Sequence, residues 1–309
     1  MALDLHRLWI FMQVVEHHGF SAAAQKLYMS QPSVSNQVRR LEESLRTTLI
    51  DRSGARVRPT PEGELLDAYG KRVFLLAEEA VAAVQQLSGL TTGRLVVGGS
   101  TSVGTYLLPE LMARFRSLHP GIDGHLFVGN NEAVQEQLLK GAIGVAVVAG
   151  VPREPRLMAE HVLEERMVVI APPGHRLARK GPISPDQLAG ELIVLREPGS
   201  QTRELQERAL HAWGIAPASQ CDAWGPEALK RCVVAGLGIS LISEHAVVDE
   251  IRFGTLALLE LTEPPAPRAI SLVRRRDRLS SAAEKAFVDL LRERGVWPGD
   301  ALSRASGSR

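Results

Sequence analysis

Residues 5–61 constrain the fold most: two amphipathic helical patterns joined by a tight turn, then a short loop holding Arg52, Arg56 and Arg58 with no acid between them. Leu5, Leu8, Trp9, Met12 and Val15 follow the i, i+3, i+4, i+7 spacing of one helical stripe, which His17-His18-Gly19 ends. Ser21 is placed to cap the next helix, whose Ala23, Ala24 and Leu27 are small enough for a close crossing. After a Tyr28-Met29-Ser30 turn, Pro32 suits a first helical turn, and Val34, Val38, Leu41 and Leu45 form the next apolar stripe. At about 100° per residue the opposite face carries Pro32, Asn36, Arg39, Arg40 and Glu43, flanked by Ser33 and Ser35, with Gln31 at the helix start. Short polar groups there suit base edges, and the cations behind them suit phosphate. The pattern predicts a winged helix-turn-helix that reads duplex DNA; on periodicity alone, a solvated helical hairpin fits the same spacing.

Phe11, Val14, Gly19-Phe20-Ser21, Ala23-Ala24, Leu27, Ser30 through Ser35, Gln37, Leu41-Glu42, Leu45, Leu49, Arg52, Thr60-Pro61 and Gly63 stand in a fixed order. Together they resemble the N-terminal signature of the LysR-type transcriptional regulators. The resemblance implies that Gln31, Pro32, Ser35 and Asn36 lie in the major groove, while the wing around Arg52 and Arg56 lies against the backbone or minor groove. Phosphate contacts then position the protein and groove contacts specify the site. Ser33, Arg39 and Arg40 complete the expected DNA-binding set. Two positions depart from the family pattern: Arg46 and Ile50 stand where glycine and phenylalanine are usual.

The rest of the composition narrows the function. A net charge of only +1 leaves attraction to DNA to local charge, and residues 31–59 carry six arginines against Glu42, Glu43 and Asp51. With 309 residues and 45% hydrophobic content, the chain has enough material for two or three folding units. Met1 leads directly into an amphipathic pattern without a signal peptide, and the apolar run Ala142 to Val151 is far below the ~18 residues of a membrane span, so a cytoplasmic location is expected. His175, His211 and His245 lie far apart beside no nucleophile motif, and no phosphate-cradling loop or zinc spacing occurs. We therefore expect no enzyme, no metal and no cofactor. Cys221 and Cys232, the only cysteines, read as structural thiols. Resemblance to relatives that sense peroxide through a cysteine pair adds a redox-sensing regulator as the alternative.

From Pro61 to about Ser88, Leu66, Tyr69, Val73, Leu76, Ala80, Val84 and Leu87 recur at steps of three and four, the seam of a coiled coil. Such a seam predicts pairing with a second copy, as in the linker helix of the resembled family; packing on the chain's own effector domain is the alternative. A homodimer, or a dimer of dimers, would present two reading heads to a partly palindromic promoter site, with RNA polymerase as a further partner.

Beyond Thr91-Thr92-Gly93, strands and helices alternate, predicting parallel sheet covered on both faces. The alternation gives an α/β class, and the family resemblance implies the arrangement: an N-terminal winged helix-turn-helix (1–60), a linker helix (61–90) and a two-subdomain effector domain (91–300) similar to periplasmic binding proteins. Subdomain I takes 91–163 plus 268–295, subdomain II takes 164–267, crossovers fall near Glu164 and Pro267, and 301–309 is a flexible tail. A solute-binding protein could use the effector half alone, but the N-terminal segment would then have no role.

Ligands of open parallel sheets sit beyond the carboxyl strand ends, where helix N-termini present free N–H groups. Three loops occupy such positions: Gly98 to Ser102, Gly129 to Asn131, and Glu197 to Arg203. The family resemblance places inducer contacts on the first and third loops and so implies Ser100, Ser102, Ser200 and Thr202, with Arg203 as counter-charge to a small acidic metabolite; Thr101, Asn130 and Gln201 on the same loops complete the expected effector contacts. The same serines and threonines also read as ordinary helix caps.

Overall fold

The computed structural model describes residues 3–51, 57–87, 92–178, 180–216, 219–293 and Trp297. The chain divides into two units, Met1–Val81 and Ala82–Arg309.

In the first unit, α1 (Leu5–Glu16), α2 (Phe20–Lys26) and α3 (Gln31–Leu45) precede a two-stranded antiparallel wing, β1 (Ile50–Asp51) and β2 (Arg58–Pro59). Asp4 caps α1 by accepting from the His6 and Arg7 N–H groups, and Ser30 caps α3 by accepting from Ser33 N–H at 3.3 Å. The capping role expected of Ser21 is overturned: α2 begins one residue earlier, behind Gly19, and has no side-chain cap. Ser21 is thereby inside the first helical turn. Leu8, Ile10, Phe11 and Val14 of α1 meet Ala23, Ala24, Val34, Val38 and Leu41 in one apolar core. Leu5 and Trp9, expected on the buried stripe, are exposed, and Ile10 and Phe11 take their place.

Ile50 stands where the resembled family has phenylalanine, and it is buried in this core. The Glu42 carboxylate accepts from Leu49 N–H (2.9 Å) and Ile50 N–H (3.2 Å), tying α3 to the wing. Gly63 has a steric reason: a Cβ there would fall 2.1 Å from the Leu49 carbonyl oxygen. It lies in α4 (Pro61–Leu87), which carries exposed Tyr69, Leu76 and Val84 on the expected seam. Leu66, also assigned to the seam, instead packs with Phe74 against the core of the first unit.

The second unit holds two α/β layers. In one, the strand order is β4 (Ile122–Gly129), β3 (Gly93–Ser100), β5 (Val145–Ala149), β12 (Arg268–Arg275), β6 (Leu157–Glu165). α5 (Thr101–Tyr106), α6 (Leu108–Leu118), α7 (Asn131–Lys140) and α11 (Ala282–Arg292) pack against it. Both faces are covered, as continuous apolar runs demand: Val145, Val147 and Ala149 face α6 and α11, whereas Ala146 and Val148 face α7.

The other layer contains β7 (Met167–Ala171) between antiparallel β10 (Ser240–Ser243) and β11 (Ala257–Leu259). It also contains the parallel pair β8 (Leu192–Arg196) and β9 (Ser219–Ala223) with α8 (Gln201–Ala212), α9 (Gly225–Val234) and α10 (Val248–Arg252). The expectation of parallel sheet thus holds for β3 with β4 and β5, for β8 with β9 and for the parallel bridge of Ile239 to Ile193, and fails for β6, β7, β11 and β12 and for the pairing of β10 with β7. The reason lies in the connections. β6 and β12 carry the chain out of one layer and back, without the helical crossover that a parallel neighbour needs. Within this crossing pair Glu165 stands directly opposite Arg268.

Candidate nucleic-acid interface and effector crevice

Of the nine expected DNA contacts, seven lie on α3, and Arg52 and Arg56 lie outside the described residues. Gln31, Pro32, Ser33, Arg39 and Arg40 are exposed, and Ser35 and Asn36 are half-buried beside the buried stripe Val34, Val38 and Leu41. The exposed face is polar by default, because the apolar side of the helix is consumed by the core. Its groups are partly organised in advance. Ser30 and Ser33 share a hydroxyl hydrogen bond of 2.8 Å at the helix start, and Arg39 Nη2 donates to Asn36 Oδ1 at 3.0 Å. Ser30 holds the Ser33 N–H and Pro32 has none, so the positive end of the α3 dipole and the Ser30 and Ser33 hydroxyls, more than free N–H groups, suit the end carrying Gln31 to Ser33 to a polyanionic surface.

The second site is a narrow crevice between the two layers of the second unit. It brings together Ser100, Thr101, Ser102, Asn130, Ser200, Gln201 and Thr202, all expected from sequence, with Asn131, Ala149, Arg196 and Arg268, which were not. The first expected loop is no loop: Ser100 ends β3, and Thr101 and Ser102 open α5. Ser100 Oγ accepts from Ala149 N–H at 3.0 Å, and Thr101 Oγ1 donates to the Gly129 carbonyl at 3.1 Å. Asn130 caps α7 through Ala133 N–H (2.9 Å), and Ser200 caps α8 through Thr202 N–H (3.2 Å). Capping and crevice lining coexist in the same side chains. Gln201 closes on Gly150 from the facing layer; a Cβ on Gly150 would lie 2.4 Å from Gln201 Oε1.

Two buried guanidinium groups dominate the chemistry. Arg196, 1% exposed, makes a bidentate pair with Glu197, Nε to Oε2 and Nη2 to Oε1, both at 2.8 Å. Burial alone would raise the Glu197 carboxyl, but the Arg196 guanidinium and the Gly225 N–H (3.0 Å) outweigh it and hold the group below the usual carboxylate range. The third nitrogen, Arg196 Nη1, is buried with no hydrogen-bond partner among the described residues. Arg268 donates through Nε to Glu165 Oε2 at 2.8 Å and through Nη1 to Thr202 Oγ1 at 2.7 Å, and the Ser243 hydroxyl also donates to Glu165. Arg268 therefore links the crossing strands to the start of α8.

Arg203, expected as the counter-charge, is not among the lining residues. Its Nη1 donates to Asp222 Oδ1 (2.5 Å) and to the Arg196 carbonyl (2.7 Å), and its Nε to Glu207 Oε1 (2.5 Å). Burial alone would lower its pKa; the two carboxylates outweigh burial and raise it. Charge faces the crevice one strand end earlier, at Arg196. An arginine closing the apolar strand Leu192–Arg196 at its carboxyl end was the available sequence signal, since such a cation is rarely buried without a partner. Arg268, at the start of an apolar strand, carried the same signal.

A further cluster bridges the layers. The Tyr106 hydroxyl donates to Glu227, while Lys230 Nζ lies 2.8 Å from Glu227, 2.7 Å from Glu250 and 5.0 Å from the Tyr106 ring centroid. Cys221 lies in β9 and Cys232 in α9, both half-buried free thiols. Among the described residues no helix is long and apolar enough to cross a membrane, and no group of three or more His, Cys, Asp or Glu side chains could hold a metal ion.

The family described as bacterial regulatory helix-turn-helix protein, lysR family, matches residues 5–64, and that described as LysR substrate binding domain matches residues 88–296. A RuBisCO operon transcriptional regulator of Allochromatium vinosum is 34% identical over 287 residues, covering 93% of this chain and 95% of the relative. The regulatory domain of CcmR from Synechocystis PCC6803, solved in complex with 2-PG, is similar with a TM-score of 0.61 at 28% identity, covering 65% of this chain and 96% of that one. Full-length CbnR, solved with its target DNA, shares the fold with a TM-score of 0.69 at 23% identity, covering 94% of this chain and 99% of that one.

Proposed function

Since the chain belongs to the LysR family of transcriptional regulators, which bind promoter DNA, we propose that a small anion in the crevice sets the arrangement of a DNA-bound homodimer. The observation that carries the anion is Arg196 Nη1. A buried charged donor without an acceptor is costly, and a carboxylate, phosphate or sulfate oxygen would satisfy it. Glu165 and Glu197 balance Arg268 and Arg196, so these four charges sum to zero and a single anion meets no net repulsion from them. The similar CcmR domain holding 2-PG supports the same chemical class.

Dimerisation is supported by the apolar positions Tyr69, Leu76 and Val84 exposed along α4. Two heads at a fixed spacing then grip half-sites about one helical turn, or a multiple of it, apart. The expected assembly is a dimer or dimer of dimers acting in the cytoplasm, with RNA polymerase as a further partner. A ligand that favours one subunit arrangement by differential affinity changes how the DNA is held.

Isothermal titration of the full chain with 2-PG, inorganic phosphate, sulfate and small dicarboxylates tests the effector. Heat with at least one anion is expected, weakened about tenfold in Arg196→Lys, which keeps the charge but loses the planar fork. No heat with any of them refutes the reading. On the DNA side, Asn36→Ala should change the ranking among operator sequences, whereas Arg40→Ala should weaken all duplexes alike.

A further inference from the structure

Four helices of the second unit end in the same way. α7, α8, α9 and α10 close with paired backbone bonds around a glycine in the left-handed conformation: Gly141, Gly214, Gly236 and Gly254, with φ of 76°, 67°, 82° and 69°. Glycine is the expected residue there, because any Cβ makes this conformation unfavourable. The three helices of the reading head use the same closure without glycine. His18 follows α1, Tyr28 follows α2 and Arg46 follows α3, with φ of 52°, 54° and 53°. At Tyr28 the pair is Tyr28 N–H to Gln25 O (3.3 Å) and Met29 N–H to Ala24 O (3.0 Å).

Arg46 carries a cation at the carboxyl end of α3, which rewards it locally. Tyr28 has no such reward. The residue is 99% exposed, and its side chain has no hydrogen-bond partner among the described residues. An apolar ring in water on an unfavourable backbone contributes nothing evident to the fold. Strain held without a folding benefit points to a use outside the subunit.

The position supplies that use. Tyr28 stands in the turn between α2 and α3, two residues before the Ser30 cap. In a helix-turn-helix the second helix enters the major groove by its N-terminal residues while the first crosses the backbone. The joining turn is then held over the sugar-phosphate strand that borders the groove. We propose that the Tyr28 hydroxyl donates a hydrogen bond to a phosphate oxygen of duplex DNA, so that this residue positions the head rather than reading bases. The assignment rests on the placement of α3 in the groove proposed above.

Fluorescence anisotropy of the full chain, with two duplexes of equal length, tests it: the DNA upstream of its own gene and a scrambled sequence. Tyr28→Phe removes only the hydroxyl; it should weaken binding to both duplexes by the same factor, at least about threefold, with no change in melting midpoint. Tyr28→Gly should bind no better than Tyr28→Phe and melt no lower than the parent, because the left-handed position suits glycine. A neutral phenol displaces no counterion, so the salt dependence of binding should keep its slope in both variants. Parental affinity in Tyr28→Phe overturns the proposal, as does a loss confined to the protein's own site, which would mean base reading. A parent protein that binds neither duplex refutes the groove placement itself.

Discussion

The interior of the reading head contains Leu8, Phe11, Val34, Val38, Leu41 and their apolar neighbours, and among the described residues no fully buried charged side chain, although the Nε2 atom of half-buried His17 is withdrawn from water. The interior of the second unit contains Glu165, Arg196, Glu197, Lys230, Arg268 and Glu284 beside its apolar clusters. Ionised groups withdrawn from water cost free energy that pairing only partly recovers. The head keeps its charged groups on the outside and packs its interior with apolar side chains. The second unit carries charge inward and pairs most of it, leaving Arg196 Nη1 without an acceptor. On the function proposed above, the difference separates a surface for a large polyanion from a crevice for a small one.

The largest expected effect breaks the charged interior. Arg268→Ala leaves the Glu165 carboxylate buried with only the Ser243 hydroxyl, and should cost about 4 kcal/mol in the unfolding of the second unit, followed by urea titration. A loss under about 1 kcal/mol would show that the pair is dispensable and that the two interiors are less different than they look. Next comes the apolar interior. Leu41→Ala removes a fully buried side chain between α1 and α3 and should cost about 3 kcal/mol in the first unit. It should leave the anion titration unchanged.

The comparison also explains what could be read from the chain directly. Hydrophobic steps located α1, α3 and most strands of the second unit, because an apolar face announces itself by period. The short α5, Thr-Ser-Val-Gly-Thr-Tyr, gave no such signal: a Cβ on its Gly104 would lie 2.8 Å from Val128 Cγ2, a close approach visible only in three dimensions. β6 escaped for another reason. As the sheet edge, Leu-Met-Ala-Glu-His-Val-Leu-Glu-Glu shows neither a continuous apolar run nor clean alternation, and its pairing with β12 shifts register between Ile270 and Ser271. In the crevice, hydroxyl and amide residues at helix starts were legible because capping and ligand contact favour the same residue types. Arg196 and Arg268 were not, since which arginine turns inward depends on whether a carboxylate waits there; Arg203, the nearer guess, is drawn outward by Glu207 and Asp222.

Gly144 sharpens the point. The resembled family often has aspartate here, and the structure shows why this chain does not: a Cβ would fall 1.7 Å from Glu284 Oε1, in space filled by the ion pair of Glu284 with Arg278, 2.8 Å apart. Gly144→Ala should therefore destabilise the second unit by about 2 kcal/mol, measured as above. An unchanged midpoint would mean that the pair moves freely and is no fixed part of the interior.

The smallest effect concerns the bridge between the layers, where Tyr106 donates to Glu227. Tyr106→Phe should cost roughly 1 kcal/mol at neutral pH, the worth of one hydrogen bond. Its pH dependence distinguishes the hydroxyl from the ring. Burial, then the Glu227 carboxylate, pushes the Tyr106 hydroxyl above the ordinary tyrosine value. A raised acid keeps its proton longer in the folded state, so this contribution is complete below pH of about 10 and declines as pH rises beyond that. For Glu227, burial acts upward, but hydrogen bonds from Lys230 and Tyr106 outweigh it and hold the carboxyl low. That contribution is complete above pH of about 4.3 and is lost as pH falls further. Stability curves of the parent and Tyr106→Phe should therefore run parallel across neutral pH and converge above about pH 10, while both retain an acid limb through Lys230. A constant gap at alkaline pH would assign the difference to ring packing on Lys230 instead of the hydroxyl.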